Sequence, residues 1–105
     1  MAKLRLFWTE AAIVQRHSIF NYWNKRTHNS SYSKKLKSKI KEKTELLKSN
    51  PFIGKEVGFE EIRCLPMDNF SLFYILNQDN IFILSFWDNR QNPKSLLLIL
   101  KKRSE

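Results

Sequence analysis

Asp88, Arg90 and Gln91 follow directly on Ile81–Trp87, a short run of mostly apolar, β-favouring residues. A carboxylate and a guanidinium two positions apart at the mouth of a strand are groups that can do chemistry. Asp88 is a candidate general base, and Arg90 a forked donor that can neutralise a phosphate or a carboxylate. Gln91 is assigned to the same target contact, although Gln91 and Asn92 also suit turn and cap positions. The plainer role for Arg90 is an ion pair with Asp88, worth about 0–1 kcal/mol at a surface. Target contact is placed ahead of it, because the segment is polar, punctuated by Pro93 and carried by a nearly uncharged strand. Arg63, on a stretch where Glu61 and Arg63 alternate with Ile62 and Cys64, is the second candidate cation. Trp87 reads as packing rather than as a stacking platform.

These residues need a scaffold, and hydrophobic periodicity supplies one. Ile81–Trp87 is too short and too rich in Ile and Phe for a helix, so it reads as a buried central strand. Upstream, Phe59–Leu65 alternates, with Ile62 and Cys64 on one face; Pro66–Asn69 is a turn. Phe70–Leu76 is apolar on both faces, and Asn77–Asn80 is a hairpin turn. Lys3–Phe7 alternates as a further strand, with Leu4, Leu6 and Trp8 together. Thr9 then caps a helix over about 10–25, on which Ala12, Ile13, Ile19, Phe20 and Trp23 share an arc. Arg16 falls within that arc, its stem expected to snorkel across the core edge. Tyr22 lies off it. A polar connector over 26–31 leads to a second helix over about 32–48, capped by Ser30 or Ser31, with Tyr32, Leu36, Ile40 and Leu47 as its stripe. Lys34, Lys37, Lys41 and Lys48 lie opposite, only partly answered by Glu42 and Glu45. They read as a solvated face, with a basic ridge for phosphate or an acidic partner as the functional counterpart. Asn50-Pro51 ends the helix, and Gly54 and Gly58 let the chain turn. After Pro93 the five apolar residues Leu96–Leu100 suit a short helix or a strand equally, with Asn92 as cap in the first case.

The expected fold is therefore α+β, in the order β-α-α-β-β-β plus a short C-terminal element. An antiparallel sheet packs against an α-helical hairpin, in a single domain over 1–105. With Ile62 and Cys64 inward, Arg63 lies on the open face.

Bulk composition narrows the partners. A net charge of +9 with pI near 9.9 lies at the edge of the magnitude of about 2–8 usual for a small domain. It favours polyanionic or acidic partners. A lone cysteine, Cys64, gives no disulfide framework and no thiolate metal site, and His17 and His28 have no metal-ligand spacing. No cofactor is implied. No apolar run approaches the roughly 20 residues of a membrane span. The first residues lack a signal-type apolar core, so a cytoplasmic location is expected.

The ordered set Trp8-Thr9-Glu10, Tyr22-Trp23, Asn50-Pro51 with Gly54, Ile62-Arg63-Cys64-Leu65-Pro66, Phe73-Tyr74 and Trp87–Pro93 resembles the RelE/ParE superfamily of type II toxin–antitoxin modules. The resemblance spans nearly the whole chain. It implies a toxin of plasmid stabilisation type, neutralised by a cognate antitoxin whose C-terminal segment wraps it. Two activities occur in the superfamily: ribosome-dependent cleavage of mRNA by RelE-like members, and poisoning of DNA gyrase without bond chemistry by ParE-like members. Arg63 and Arg90 match basic positions of the RelE-like ribonucleases. Ser71 stands where those enzymes carry a further arginine, Leu96 near where they place a tyrosine, and no histidine lies in the sheet region. The departures favour the ParE branch, with the ribonuclease as alternative and a degenerate, non-toxic antitoxin-binding module as a second alternative. Antitoxin contacts are assigned to Tyr22, Arg16, Lys34, Lys37 and Lys41.

Overall fold

The computed structural model describes residues 4–102. Lys3, read above as the start of the first strand, lies outside them. The elements are β1 (Arg5–Trp8), α1 (Glu10–Thr27), α2 (Ser31–Ser49), β2 (Lys55–Glu56), β3 (Arg63–Met67), β4 (Phe70–Asn77), β5 (Asn80–Asp88) and α3 (Pro93–Lys102). One sheet runs in the order β1-β5-β4-β3-β2. β4 is central, as its two apolar faces require. β5 lies between β4 and β1, and its first half alone is flanked on both sides: β1 pairs only with Asn80–Ile83.

The α+β class and the helical hairpin on one face hold. Within them, β1 joins in parallel, so the sheet is mixed; the long crossover from α1 to β4 allows it, since parallel neighbours need such a connection. The strand expected over 59–65 begins at Arg63, because Glu60 and Glu61 both take the left-handed backbone region and turn the chain first. Pro66 lies inside β3 rather than in the turn. β2 accompanies only Arg63 and Cys64, so the missing amide of Pro66 falls where no second neighbour needs it.

Each helix shows its local cause. Thr9 accepts from Ala12 N at 3.4 Å as N-cap, and its hydroxyl donates to Ile83 O at 2.8 Å, tying the helix start to β5. Thr9→Ala removes both contacts and is expected to cost about 1–2 kcal/mol, read as a lower urea midpoint. α1 continues through Thr27 and stops where His28 turns left-handed at φ 58°. At α2 the cap is displaced: Ser30 makes no side-chain cap bond, and Asn29 Oδ1 accepts from Ser31 N at 2.9 Å instead. α3 is a helix, with Asn92 Oδ1 accepting from Lys94 N at 2.9 Å. None of the helices among the described residues is long and apolar enough to cross a membrane.

Two cores result. The main one joins α1 and α2 to the sheet through Ala12, Ile19, Leu36, Ile40, Leu47, Leu65, Phe70, Leu72, Tyr74, Ile81, Ile83 and Phe86. Ile13, expected on the same arc of α1, is exposed. The second core covers the opposite sheet face: Leu96, Ile99 and Leu100 of α3 pack on Ile62, Phe73, Leu84 and Trp87. This corrects the open-face expectation for Arg63. Ile62 and Cys64 do share a face, but α3 covers it, and Arg63 pairs with Tyr74 on the hairpin side. α3 covers that face because Leu96, Ile99 and Leu100, at spacings of three and four, give a short helix one continuous apolar stripe.

Candidate functional site

Backbone and side chain conspire to fix Arg90. Asp88 ends β5 and is 8% exposed. Its Oδ1 accepts from Arg90 N and from Arg90 Nε, both at 3.0 Å, and its Oδ2 accepts from Arg90 Nη2 at 2.7 Å. This is a bidentate fork closed by a backbone bond, the strong geometry for an arginine–carboxylate pair. The guanidinium also lies 5.4 Å over the Trp23 ring, yet the Arg90 side chain remains 54% exposed. It is held in one place and still open to a partner.

The Arg90 hydrogen bonds hold the Asp88 carboxyl below the usual carboxylate range, against the opposing effect of burial. A carboxylate whose folded value is depressed stabilises the fold above its unfolded value of about 3.9 and loses that contribution as pH falls through the lower folded value. Asp88→Asn is therefore expected to flatten the acid limb of a stability–pH curve below about pH 4, measured by urea midpoints.

Around Arg90 runs a groove of about 750 Å³. Val14, Tyr22 and Trp23 of α1 form one wall, the Phe86–Asp88 end of β5 the floor, and Ser95 and Ile99 of α3 the other wall, with Gln91 beside Arg90. It lies where β5 has outrun β1. Gln15 completes the unpaired edge: its Oε1 accepts from Phe86 N and Ser85 Oγ, each at 2.9 Å. Nothing in the periodicity of α1 marked Gln15; its value comes from a bond to a strand seventy positions away. Trp23 is the other residue the sequence did not single out for this place. Its Nε1–H is buried without a hydrogen-bond partner among the described residues, on a ring that meets Tyr22 edge to face and Tyr32 at a tilt.

The other sequence candidates separate. Arg63 is not at this groove. Its Nη1 donates to Phe52 O at 3.2 Å and Gly54 O at 2.7 Å, and Nη2 lies 3.5 Å from Glu56. Ser71 donates to Asn89 Oδ1 at 2.8 Å and so pins the turn after β5. Leu96 packs in the second core. Trp87 is buried there too, as its packing role requires. Burial pushes the Cys64 thiol up, which keeps it protonated and unreactive.

Arg16, Lys37 and Lys41 meet at a second groove of about 550 Å³ between α1 and α2, together with His17. Arg16 does snorkel: its guanidinium lies 4.3 Å over the Trp8 ring. Lys34 is exposed and lines neither groove, and Tyr22 lines only the Arg90 groove. Among the described residues, no cluster of three His, Cys, Asp or Glu could hold a metal ion.

The two grooves and the strand order can be set beside known proteins. The fold matches a chain from the chromosomal ParDE TA system of P. aeruginosa with a TM-score of 0.70 at 20% identity, over 82% of this chain and 96% of that one. None of the curated proteins compared matches the chain. Residues 6–93 match the family model described as the ParE toxin of the type II toxin–antitoxin system parDE. That match takes in nearly all of β1 through the first residue of α3, including both walls of the groove between the helices and the Asp88–Arg90 fork but not the α3 wall of the Arg90 groove. This chain therefore belongs to the ParE toxin family of type II toxin–antitoxin systems.

Proposed function

We propose that the protein is a toxin neutralised by a cognate antitoxin and that it inhibits DNA gyrase, with Arg90 and Gln91 as the target contact. The observation that carries this reading is the state of Asp88. Both its oxygens are engaged by Arg90, and those bonds hold the carboxyl below the usual carboxylate range, which makes the carboxylate beside the exposed arginine a weak base. RNA cleavage needs a group to activate the 2′-hydroxyl and an acid for the leaving oxygen. Among the described residues, the Arg90 groove has no histidine and no carboxylate other than Asp88. A preorganised arginine above an apolar floor suits recognition of a protein surface, where arginine and aromatic residues dominate the energetics. Antitoxin contacts fall to Tyr22 at the Arg90 groove and to Arg16, Lys37 and Lys41 at the other, with Lys34 on the exposed helix face.

Incubation with gyrase, ATP and plasmid should accumulate cleaved DNA complexes. An unaffected gyrase together with cuts in mRNA at the ribosomal A site would replace this reading with the ribonuclease. No effect of the wild-type chain on growth would mark it as a non-toxic binding module.

A further inference from the structure

The sheet has two outer edges, and they end differently. β2 is two residues long and carries Lys55 and Glu56. Val57 N donates to Ile62 O and Lys55 pairs with Cys64, so the amide and carbonyl of Glu56 are the ones turned outward. A symmetric partner centred there would set Glu56 against its own copy, and like charges directly opposite destabilise a sheet. Beyond the end of β1, the edge of β5 is closed by Gln15, whose Oε1 accepts from Phe86 N. The outer side of β1 has neither device. Among the described residues no strand pairs with it, and it carries one charge, no proline and no bulge. Apolar edges left open in this way pair with another chain.

The ladder to β5 fixes which backbone groups that edge presents. Arg5 N donates to Asp79 O and Thr9 N to Ile83 O, each at 3.1 Å. In the parallel register from Arg5↔Asn80 to Trp8↔Ile83, Arg5, Phe7 and Thr9 therefore face β5, and the N–H and C=O of Leu4, Leu6 and Trp8 point away from it. An antiparallel copy of the same strand, related by a two-fold axis at Leu6, pairs all of these outward residues at once: Leu6 with its own copy, and Leu4 with Trp8 in both directions. The side chains agree with that register. Leu4, Leu6 and Trp8 lie on the hairpin side, packed against the main core, so the new pairs there are apolar. On the other face Arg5 comes opposite Phe7 of the second copy. Phe7 stacks on Phe82 at 5.6 Å and is still 45% exposed, which leaves ring area for a guanidinium. Slipping the copy one way sets Arg5 against Arg5, and slipping it the other way drops Leu4 from the ladder.

We infer that β1 pairs with β1 of a second copy of this chain, antiparallel about Leu6, so that two five-stranded sheets become one continuous sheet across a symmetric dimer. The occupant is a second copy because the strand is complementary to itself in this register: apolar against apolar on one face, arginine against aromatic on the other. The opposing effect is the net charge of +9 on each copy, which salt screens. The inference goes beyond the toxin reading and does not depend on it, since neither Arg5 nor Phe7 lines either groove.

The test is sedimentation of the full chain from about 1 to 300 μM in about 0.5 M salt, which screens the charge. A monomer–dimer equilibrium is expected. Phe7→Lys should weaken it at least about tenfold, because a lysine there faces Arg5 of the second copy. Phe7→Glu should hold or tighten it, because a carboxylate faces that same arginine. Both variants lose the same exposed ring, and melting curves check that each is folded. Crosslinking in a Cys64→Ser background reads the register, since Cα atoms at a non-hydrogen-bonded pair lie about 4.5 Å apart, within disulfide reach. A mixture of Arg5→Cys and Phe7→Cys chains should form a covalent dimer of one of each, and either variant alone should not. A chain that is monomeric at every concentration overturns the proposal, as does equal weakening by both Phe7 variants or a crosslink formed as readily by one variant alone. A monomer that instead binds an extended peptide of unrelated sequence, blocked by Phe7→Lys, overturns it in favour of a foreign strand at this edge.

Discussion

Arg90→Ala is expected to abolish growth inhibition while leaving a folded chain. Truncating a hydrogen-bonded charge at an interface costs about 2–5 kcal/mol, and every 1.4 kcal/mol is tenfold in affinity. The loss should therefore be roughly thirtyfold or more, read both as growth after induction and as cleaved complexes in the gyrase assay. The same substitution has a structural consequence that must be measured beside it. The Asp88 side chain is only 11% exposed, and without Arg90 it keeps the backbone amide as its partner but loses two charge-assisted bonds. That should lower stability by about 1–3 kcal/mol, visible in the urea midpoint but short of unfolding the chain. Arg90→Lys separates the effects: it retains the charge but not the planar fork, so it should recover part of the stability and little of the toxicity. Growth arrest unchanged in Arg90→Ala would remove Arg90 from the target contact.

Tyr74→Phe is expected to be the most destabilising of the conservative substitutions, by about 2–4 kcal/mol, with the proposed gyrase inhibition unaffected at temperatures where the chain stays folded. The Tyr74 hydroxyl accepts from Gly54 N at 2.9 Å and donates to Pro51 O at 2.8 Å, at a side chain with no exposed surface. Removing it strands a buried amide and a carbonyl, each at about 1–3 kcal/mol. Burial raises the Tyr74 phenol's own ionisation above its usual value, so the hydroxyl stays a donor at any working pH. Arg63 reinforces the same loop through the Phe52 and Gly54 carbonyls. Gly54 sits so close that an added Cβ would lie 2.6 Å from the Tyr74 hydroxyl. Urea unfolding measures the loss, and amide exchange should locate it over residues 50–57. A loss of under about 1 kcal/mol would show that the loop does not depend on this hydroxyl.

The fate of Arg63 shows how far the sequence could be read. Period-two alternation put Ile62 and Cys64 on one face of the strand, and they are on one face. Alternation cannot say which face meets the hairpin, because a strand buried on both sides obeys the same pattern. That depended on α3, whose five apolar residues suited helix and strand alike until the Asn92 cap and the covered sheet face resolved them. Gly54 is a similar case. The sequence suggested a turn glycine, and the close approach of Tyr74 is what excludes a side chain there. Tyr22 and Arg90 were read as contacts for different partners, yet they line one groove, because α1 crosses the end of β5 there.

By itself the sequence determined the class of fold, the helix hairpin, the central strands and the polar exit of β5, since these follow from local periodicity, caps and turn residues acting within a few positions. It also marked Arg90 as the exposed cation at that exit. Only the tertiary structure decided that Gln15 closes the open edge of β5, that Arg63 holds a loop, and that Arg16 shares a groove with Lys37 and Lys41. Each of these is a contact between elements, fixed by how α1, α2 and α3 lie on the sheet, and no pattern within one element encodes the distance to another.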